Sequence, residues 1–219
     1  MAAAPASGLR ADAELNRQRL LAAARAVFAE QGLDVSMRQI ALRAGVGEPT
    51  LRRRFTSKAQ LISEAFEDKV AAYANEAERA LQAPDAWAGF STFVSSVARM
   101  QLGDRGFADV LTMTFPVSMR AETDRRRAYA ALGQLIARAQ HDGTLRSDFS
   151  PEDIVLVLMA HAGVVAAAGE LASAFSRRML AYFLEAFAAP GRGELPAAPA
   201  AAATYRALLR LQQRAFDQG

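Results

Sequence analysis

Cysteine is absent from the 219 residues, which excludes disulfide frameworks, zinc knuckles, thiolate nucleophiles and redox switches. Histidine is nearly absent too: His141 and His161 are too few for a His-built metal site, so no metal and no cofactor is expected. No nucleophile-base pair or nucleotide loop stands out, and the chain does not read as an enzyme. Strand signals are missing, since no alternating β-branched run is bounded by Asn-Gly or Asp-Gly turns. The longest apolar run, Ile154 to Gly169, has 16 residues without a formal charge, fewer than the ~20 of an ordinary membrane span. The N-terminus MAAAPASGLR lacks the basic segment of a secretory signal. Cytoplasmic location and no membrane partner are therefore expected.

What remains is apolar and basic in an uneven way. The apolar fraction of 52% and the charged fraction of 22% are too hydrophobic for a disordered chain and too polar for a membrane protein. Net charge is only +3, yet residues 1 to 60 hold ten Lys/Arg against five Asp/Glu. The basic charge thus sits at the N-terminal end. Lys58 and Lys69 are the only lysines; the rest is Arg, which grips guanine or phosphate with paired hydrogen bonds, although a coding bias gives the same composition.

Apolar residues recur at helical spacing almost throughout, which predicts an all-α fold. A first helix is expected from about Glu14 to Gln31, with Leu20, Leu21, Ala24, Val27 and Phe28 inward and Gly32 as its stop. Ser36-Met37-Arg38-Gln39 and Ser57-Lys58-Ala59-Gln60 are capping-box patterns that open a short second helix and a long fourth one. Between them, Pro49 suits the first turn of a third helix ending near Phe55. Further helices are predicted near 85 to 102, 104 to 113, 119 to 141, 151 to 168 and 171 to 188. A Pro/Gly/Ala linker follows, then an amphipathic segment from Thr204 to Asp217 with Arg206, Arg210 and Arg214 on its wet face.

The segment Ser36 to Phe55 has a helix-turn-helix pattern. Two short helices crossing steeply need a small residue at the crossing and a residue free to take positive φ at the turn, which Ala41 and Gly45 supply. Ile40, Val46 and Leu51 close the small core, leaving Glu48, Pro49, Thr50, Arg52, Arg53 and Arg54 outward on a rod of the size that enters a major groove. An Arg cluster alone reads as a solvated face; within this frame it reads as a DNA contact. Glu48 either accepts from cytosine or favours the helix N-terminus. Arg10 is within reach of a minor groove, but residues 1 to 13 are expected to form a flexible arm.

AVFAEQGLDVSMRQIALRAGVGEPTLRRRFTSKAQLI resembles the N-terminal domain of TetR-type one-component transcriptional regulators, which share the A-G-V turn, a T-L then F recognition helix and a following S-K pair. The resemblance covers about residues 15 to 66 and implies double-stranded DNA as partner, read at a near-palindromic operator. It makes Ser36 and Arg38 contacts from the second helix, Glu48, Pro49, Thr50, Arg52, Arg53 and Arg54 the recognition helix, and Lys58 a phosphate contact. Three positions depart from the family pattern: Arg52 stands for the usual Tyr, Arg54 for the usual His and Gly47 for the usual Ser.

The same resemblance divides the chain into an arm (1 to 13), a DNA-binding domain (14 to 60), an all-helical ligand-binding and dimerisation domain (61 to 189), and a linker with a C-terminal helix (190 to 219). It places the helices near 151 to 168 and 171 to 188 in a four-helix homodimer interface, where Ala160, Gly163 and Ala167 allow close approach. It also implies a pocket for a small-molecule effector. Trp87, Phe93, Met100, Phe107, Leu111, Met113, Phe115, Met119, Tyr129 and Phe175 lie on its surrounding helices, most as plain core, with His161 as a core histidine or a polar contact. A hydrophobic effector is expected rather than a strongly anionic one, because Arg125, Arg126 and Arg127 cannot all point inward from one helix. The function implied is a repressor released by a small hydrophobic ligand. The alternative is a ligand-independent DNA-binding or protein-interaction factor of the same fold, favoured by a filled C-terminal domain.

Overall fold

The computed structural model describes residues 6–112, 118–191, 193 and 195–217. These form α1 (Ala6–Gln31), α2 (Met37–Arg43), α3 (Glu48–Arg54), α4 (Lys58–Leu81), α5 (Ala86–Leu102), α6 (Arg105–Thr112), α7 (Met119–His141), α8 (Pro151–Ala168), α9 (Ala172–Phe187) and α10 (Ala201–Asp217). No strand occurs among the described residues; Leu145 and Ala188 meet in one isolated bridge. The fold is all-α, as its periodicity predicts.

Helix ends follow the local chemistry with two differences. Ser36 forms the full capping box: its hydroxyl accepts from Gln39 N at 3.2 Å, and Gln39 Oε1 accepts from Ser36 N at 2.8 Å. At α4 only half the box forms. Ser57 caps Gln60 N, but the Gln60 side chain accepts from Thr56 N instead of Ser57 N. The first helix begins at Ala6, not Glu14. Residues 6 to 13, including Arg10, are helical and extend α1; three alanines in ASGLRADA favour the helical backbone.

Two apolar clusters organise the chain. The first joins Leu20, Val27 and Phe28 of α1 to Ile40, Leu51, Phe55, Leu61 and Phe66, and reaches on through Val70 to Phe107 and Val110 of α6. The helix-turn-helix core is thus continuous with α4 and α6. Gly106 makes the close crossing possible: a Cβ there would lie 2.7 Å from Phe28 Cβ and 2.8 Å from Phe66 Cζ. The second cluster centres on Phe90, Phe93, Leu135, Phe149, Ile154 and Leu158 from α5, α7 and α8 and the turn before α8. Helix α4 packs along α7 and spans both clusters.

Through a 3-10 turn at Gly169–Leu171, α8 and α9 form a helical stretch from Pro151 to Phe187, long and apolar enough to cross a membrane by length and composition. That exceeds the 16-residue run visible in sequence because α9 continues it. Its inner face is committed to protein: Ile154, Val157, Leu158, His161 and Val165 are buried. Its outer face leaves Leu156, Leu171, Phe175 and Tyr182 exposed. After α9 the linker is hooked back by Arg146, which donates to Asp148 Oδ2 at 2.8 Å and to Gly193 O at 2.8 Å.

Candidate functional site

The reading head is built by burying one side of two short helices. Met37, Ile40 and Ala41 of α2 and Leu51 of α3 are buried, and Gly45 adopts φ +69°, so the chain reverses between them without a side-chain penalty. The hydrogen bond from Val46 N to Ala41 O, 3.0 Å, closes the turn. Because Leu51 and Phe55 point inward, the residues between them point out: Arg52, Arg53 and Arg54 are exposed. Arg52 Nε donates to Glu48 at 2.7 Å, an i,i+4 pair that orients one guanidinium along the helix. Arg38 and Arg54 have no ion-pair partner among the described residues, and both are exposed. Thr50 and Ser36 are half-buried and Pro49 is exposed. Lys58 lies half-buried at the start of α4; burial holds its ammonium below the ordinary lysine value, and Asp34 partly offsets this.

A second feature is a partly open cavity of about 530 Å³ between α4, α6, α7, α8 and α10. Val70, Tyr73, Val110, Leu132, Ile154 and Leu158 form its apolar walls, with Tyr205 and Leu208 of α10 on one side. Of the expected pocket residues, Leu111 and Tyr129 line it. The others lie elsewhere. Phe107 is fully buried in the first cluster and Met100 packs beside it. Trp87 stacks on Phe90, ring centroids 5.8 Å apart, away from the cavity. Phe93 and His161 border a separate void of about 10 Å³. Met119 is exposed, and Phe175 lies on the outer face of α9. Met113 and Phe115 lie outside the described residues. Phe107 fills core space because α6 crosses toward α1, which turns this residue to the reading head.

His161 is a satisfied core histidine. Its Nδ1 lies 2.8 Å from Gln101 Oε1, an acceptor, so Nδ1 carries the proton; its Nε2 then accepts from Ser176 Oγ, also at 2.8 Å. Gln101 Nε2 donates to Leu158 O. This network ties α5, α8 and α9 together, and burial pushes the imidazole below its ordinary value, keeping it neutral.

The Arg125 to Arg127 run splits as helix geometry requires, but one member does point inward. Arg126 Nε donates to Glu122 at 3.0 Å, and Arg127 binds Glu78 at 2.7 Å and Asp124 at 2.6 Å. Arg125 lines the cavity and donates to Val110 O at 3.2 Å. The cavity is therefore less apolar than the pattern suggests. Tyr73, Tyr205 and Leu208 were not named as pocket residues from sequence, and Arg125 was named only within a run that cannot all point inward; which one of the three does so depends on how α7 rotates against α4.

Comparison with known proteins agrees with this architecture. Residues 20–65 match the family described as bacterial regulatory proteins, tetR family, and residues 84–188 match the transcriptional regulator SbtR-like C-terminal domain. A TetR transcription regulatory protein from Mycobacterium vanbaalenii is 31% identical, over 82% of this chain and 99% of that one, with a TM-score of 0.47. The TetR transcriptional regulator SCO0520 from Streptomyces coelicolor is 27% identical over 78% and 98% of the two chains, with a TM-score of 0.50. The regulator FadR from Bacillus subtilis, solved with stearoyl-CoA, shares the fold at 16% identity, TM-score 0.52, over 77% and 97%. No curated protein matches. The fold and the exposed basic helix define a helix-turn-helix DNA-binding regulator. The chain belongs to the TetR family of transcriptional regulators.

Proposed function

We propose that the protein is a cytoplasmic homodimeric repressor that reads a near-palindromic operator and leaves it when a small molecule enters the α4–α8 cavity. The observation that carries the DNA reading is the outward face of α3, where Arg52, Arg53 and Arg54 are exposed while Leu51 and Phe55 are fully buried. In this reading residues 14 to 60 read bases, with Arg38 and Arg53 or Arg54 reaching base edges and Lys58 holding phosphate at a helix N-terminus. Residues 61 to 189 sense the ligand and dimerise. The exposed apolar side of α8 and α9 is covered by the same face of a second copy, an isologous contact.

Helix α6 supports a mechanical link between the two sites. Val110 and Leu111 line the cavity, while Asp109 accepts from Leu33 N, 2.8 Å, in the loop between α1 and α2. A ligand that favours the spacing of heads unable to span the operator weakens DNA binding by the factor by which DNA weakens ligand binding. The cavity volume supports this reading over a ligand-independent factor, which needs no such space.

Operator titration with and without compounds that raise the melting temperature tests the proposal. Stabilising compounds are expected to lower operator affinity reciprocally. A stabilising compound that leaves operator affinity unchanged overturns the switch and favours the ligand-independent reading.

A further inference from the structure

Arg125 is a cation kept inside an apolar cavity with little to hold it there. Of its five N–H donors, one interaction is made among the described residues, to Val110 O. Among the described residues no carboxylate lies within ion-pair distance of it, whereas its neighbours Arg126 and Arg127 are both paired. Burial lowers its pKa below the ordinary arginine value, and the nearby Glu122, already bound by Arg126, only partly offsets this. A guanidinium remains charged in such a place, so its desolvation is only partly compensated until an anion arrives.

Tyr73 faces the same space from α4. Its phenol has no hydrogen-bond partner among the described residues, and burial pushes it up to about 12, so it stays a donor. Glu122 and Arg126 at the cavity wall neutralise each other, leaving Arg125 as the unbalanced charge of the lining. Val110, Leu132, Ile154 and Leu158 supply only apolar contact.

Resting on the reading of this cavity as an effector site, we infer that the effector is an amphipathic anion: an acid whose carboxylate is held by Arg125 and Tyr73 while its apolar body lies against Leu132, Ile154 and Leu158. Neutral hydrophobic molecules bury the same area but leave both donors unmet. Cationic ones meet Arg125 with repulsion.

The test compares decanoate, 1-decanol and decylamine, each below its micelle-forming concentration, by calorimetric titration on the full-length dimer, followed by operator titration with each ligand. Decanoate is expected to bind roughly tenfold or more tighter than decanol, with decylamine weakest. Arg125→Gln should erase the preference and keep decanol binding, Arg125→Lys should retain part of it, and Tyr73→Phe should weaken decanoate alone. Retained decanol binding shows that the variant is folded. Equal binding of decanoate and decanol by the wild type, or a preference that survives Arg125→Gln, overturns the inference while leaving an effector cavity in place. Failure of all three to bind overturns it as well; the effector-site reading is then decided separately by operator titration with chemically diverse stabilising compounds.

Discussion

Replacing Gly106 by alanine probes the seam between the reading head and the C-terminal helical domain with one carbon atom. Ordinary carbon contacts lie at ~3.5–4.0 Å. The new Cβ would stand 2.7 Å from Phe28 Cβ, 3.0 Å from Phe28 O and 2.8 Å from Phe66 Cζ. The end of the Phe66 ring can swing away. Phe28 Cβ and its carbonyl belong to the frame of α1, so α1 and α6 must separate by close to 1 Å. Overpacking of this kind costs about 1–3 kcal/mol, and the better helix propensity of Ala returns at most ~1 kcal/mol. Position 106 is the second residue of α6, where that gain is smallest. A net loss of about 1–2 kcal/mol is expected, lowering the melting temperature by roughly 2–8 °C for a chain of this size. Thermal unfolding followed by circular dichroism measures it. A melting temperature equal to or above wild type would refute the claim that α6 seats on α1 through contact at Gly106.

For DNA contact, Arg53→Ala should cost about 1–3 kcal/mol of operator affinity and relax preference at one position of each half-site, read by fluorescence anisotropy against single-base variants. Lys58→Ala should instead weaken all sequences alike and flatten the salt dependence, since it removes a phosphate contact; unchanged operator affinity in both variants would remove α3 as the reader. A Cβ added at Gly163 meets no atom within 4 Å inside one chain, so the cost of Gly163→Leu, roughly 1–3 kcal/mol, should fall on association. Sedimentation should show more monomer with unchanged helix content, and an intact dimer would exclude this face from the interface. His161 is held below its ordinary value of 6.5, so the unfolded chain takes up a proton before the native one does. Its contribution is complete above about pH 6.5 and declines as pH falls toward the lowered native value; urea midpoints for wild type, but not His161→Gln, should drop between pH 7.5 and 5.5.

The all-helical class, the helix-turn-helix and its outward Arg residues were legible in sequence because they depend on near neighbours. A capping box is four residues long, Gly45 needs only its own φ, and Leu51 and Phe55 are one turn apart. With both inward, Arg52 and Arg53 fall on the outer side, and Arg54 at the helix end is exposed beside them. The cavity is a different kind of object. Phe107 and Leu111 are also one turn apart on α6, yet Phe107 enters the head's core and Leu111 lines the cavity. That division depends on where α6 crosses α1, which Gly106 permits and no local pattern announces. Ser57 shows the same limit at smaller scale: its box was half lost because Gln60 found Thr56 N. Arg125 faces inward through the rotation of α7 against α4, while Glu122, Glu78 and Asp124 hold Arg126 and Arg127, two of those three carboxylates lying on α7 and the third on α4. Short-range stereochemistry thus determined the elements and the basic face, while the choice of which side chains share a cavity rested on contacts between residues far apart in the chain, available only once the helices had packed.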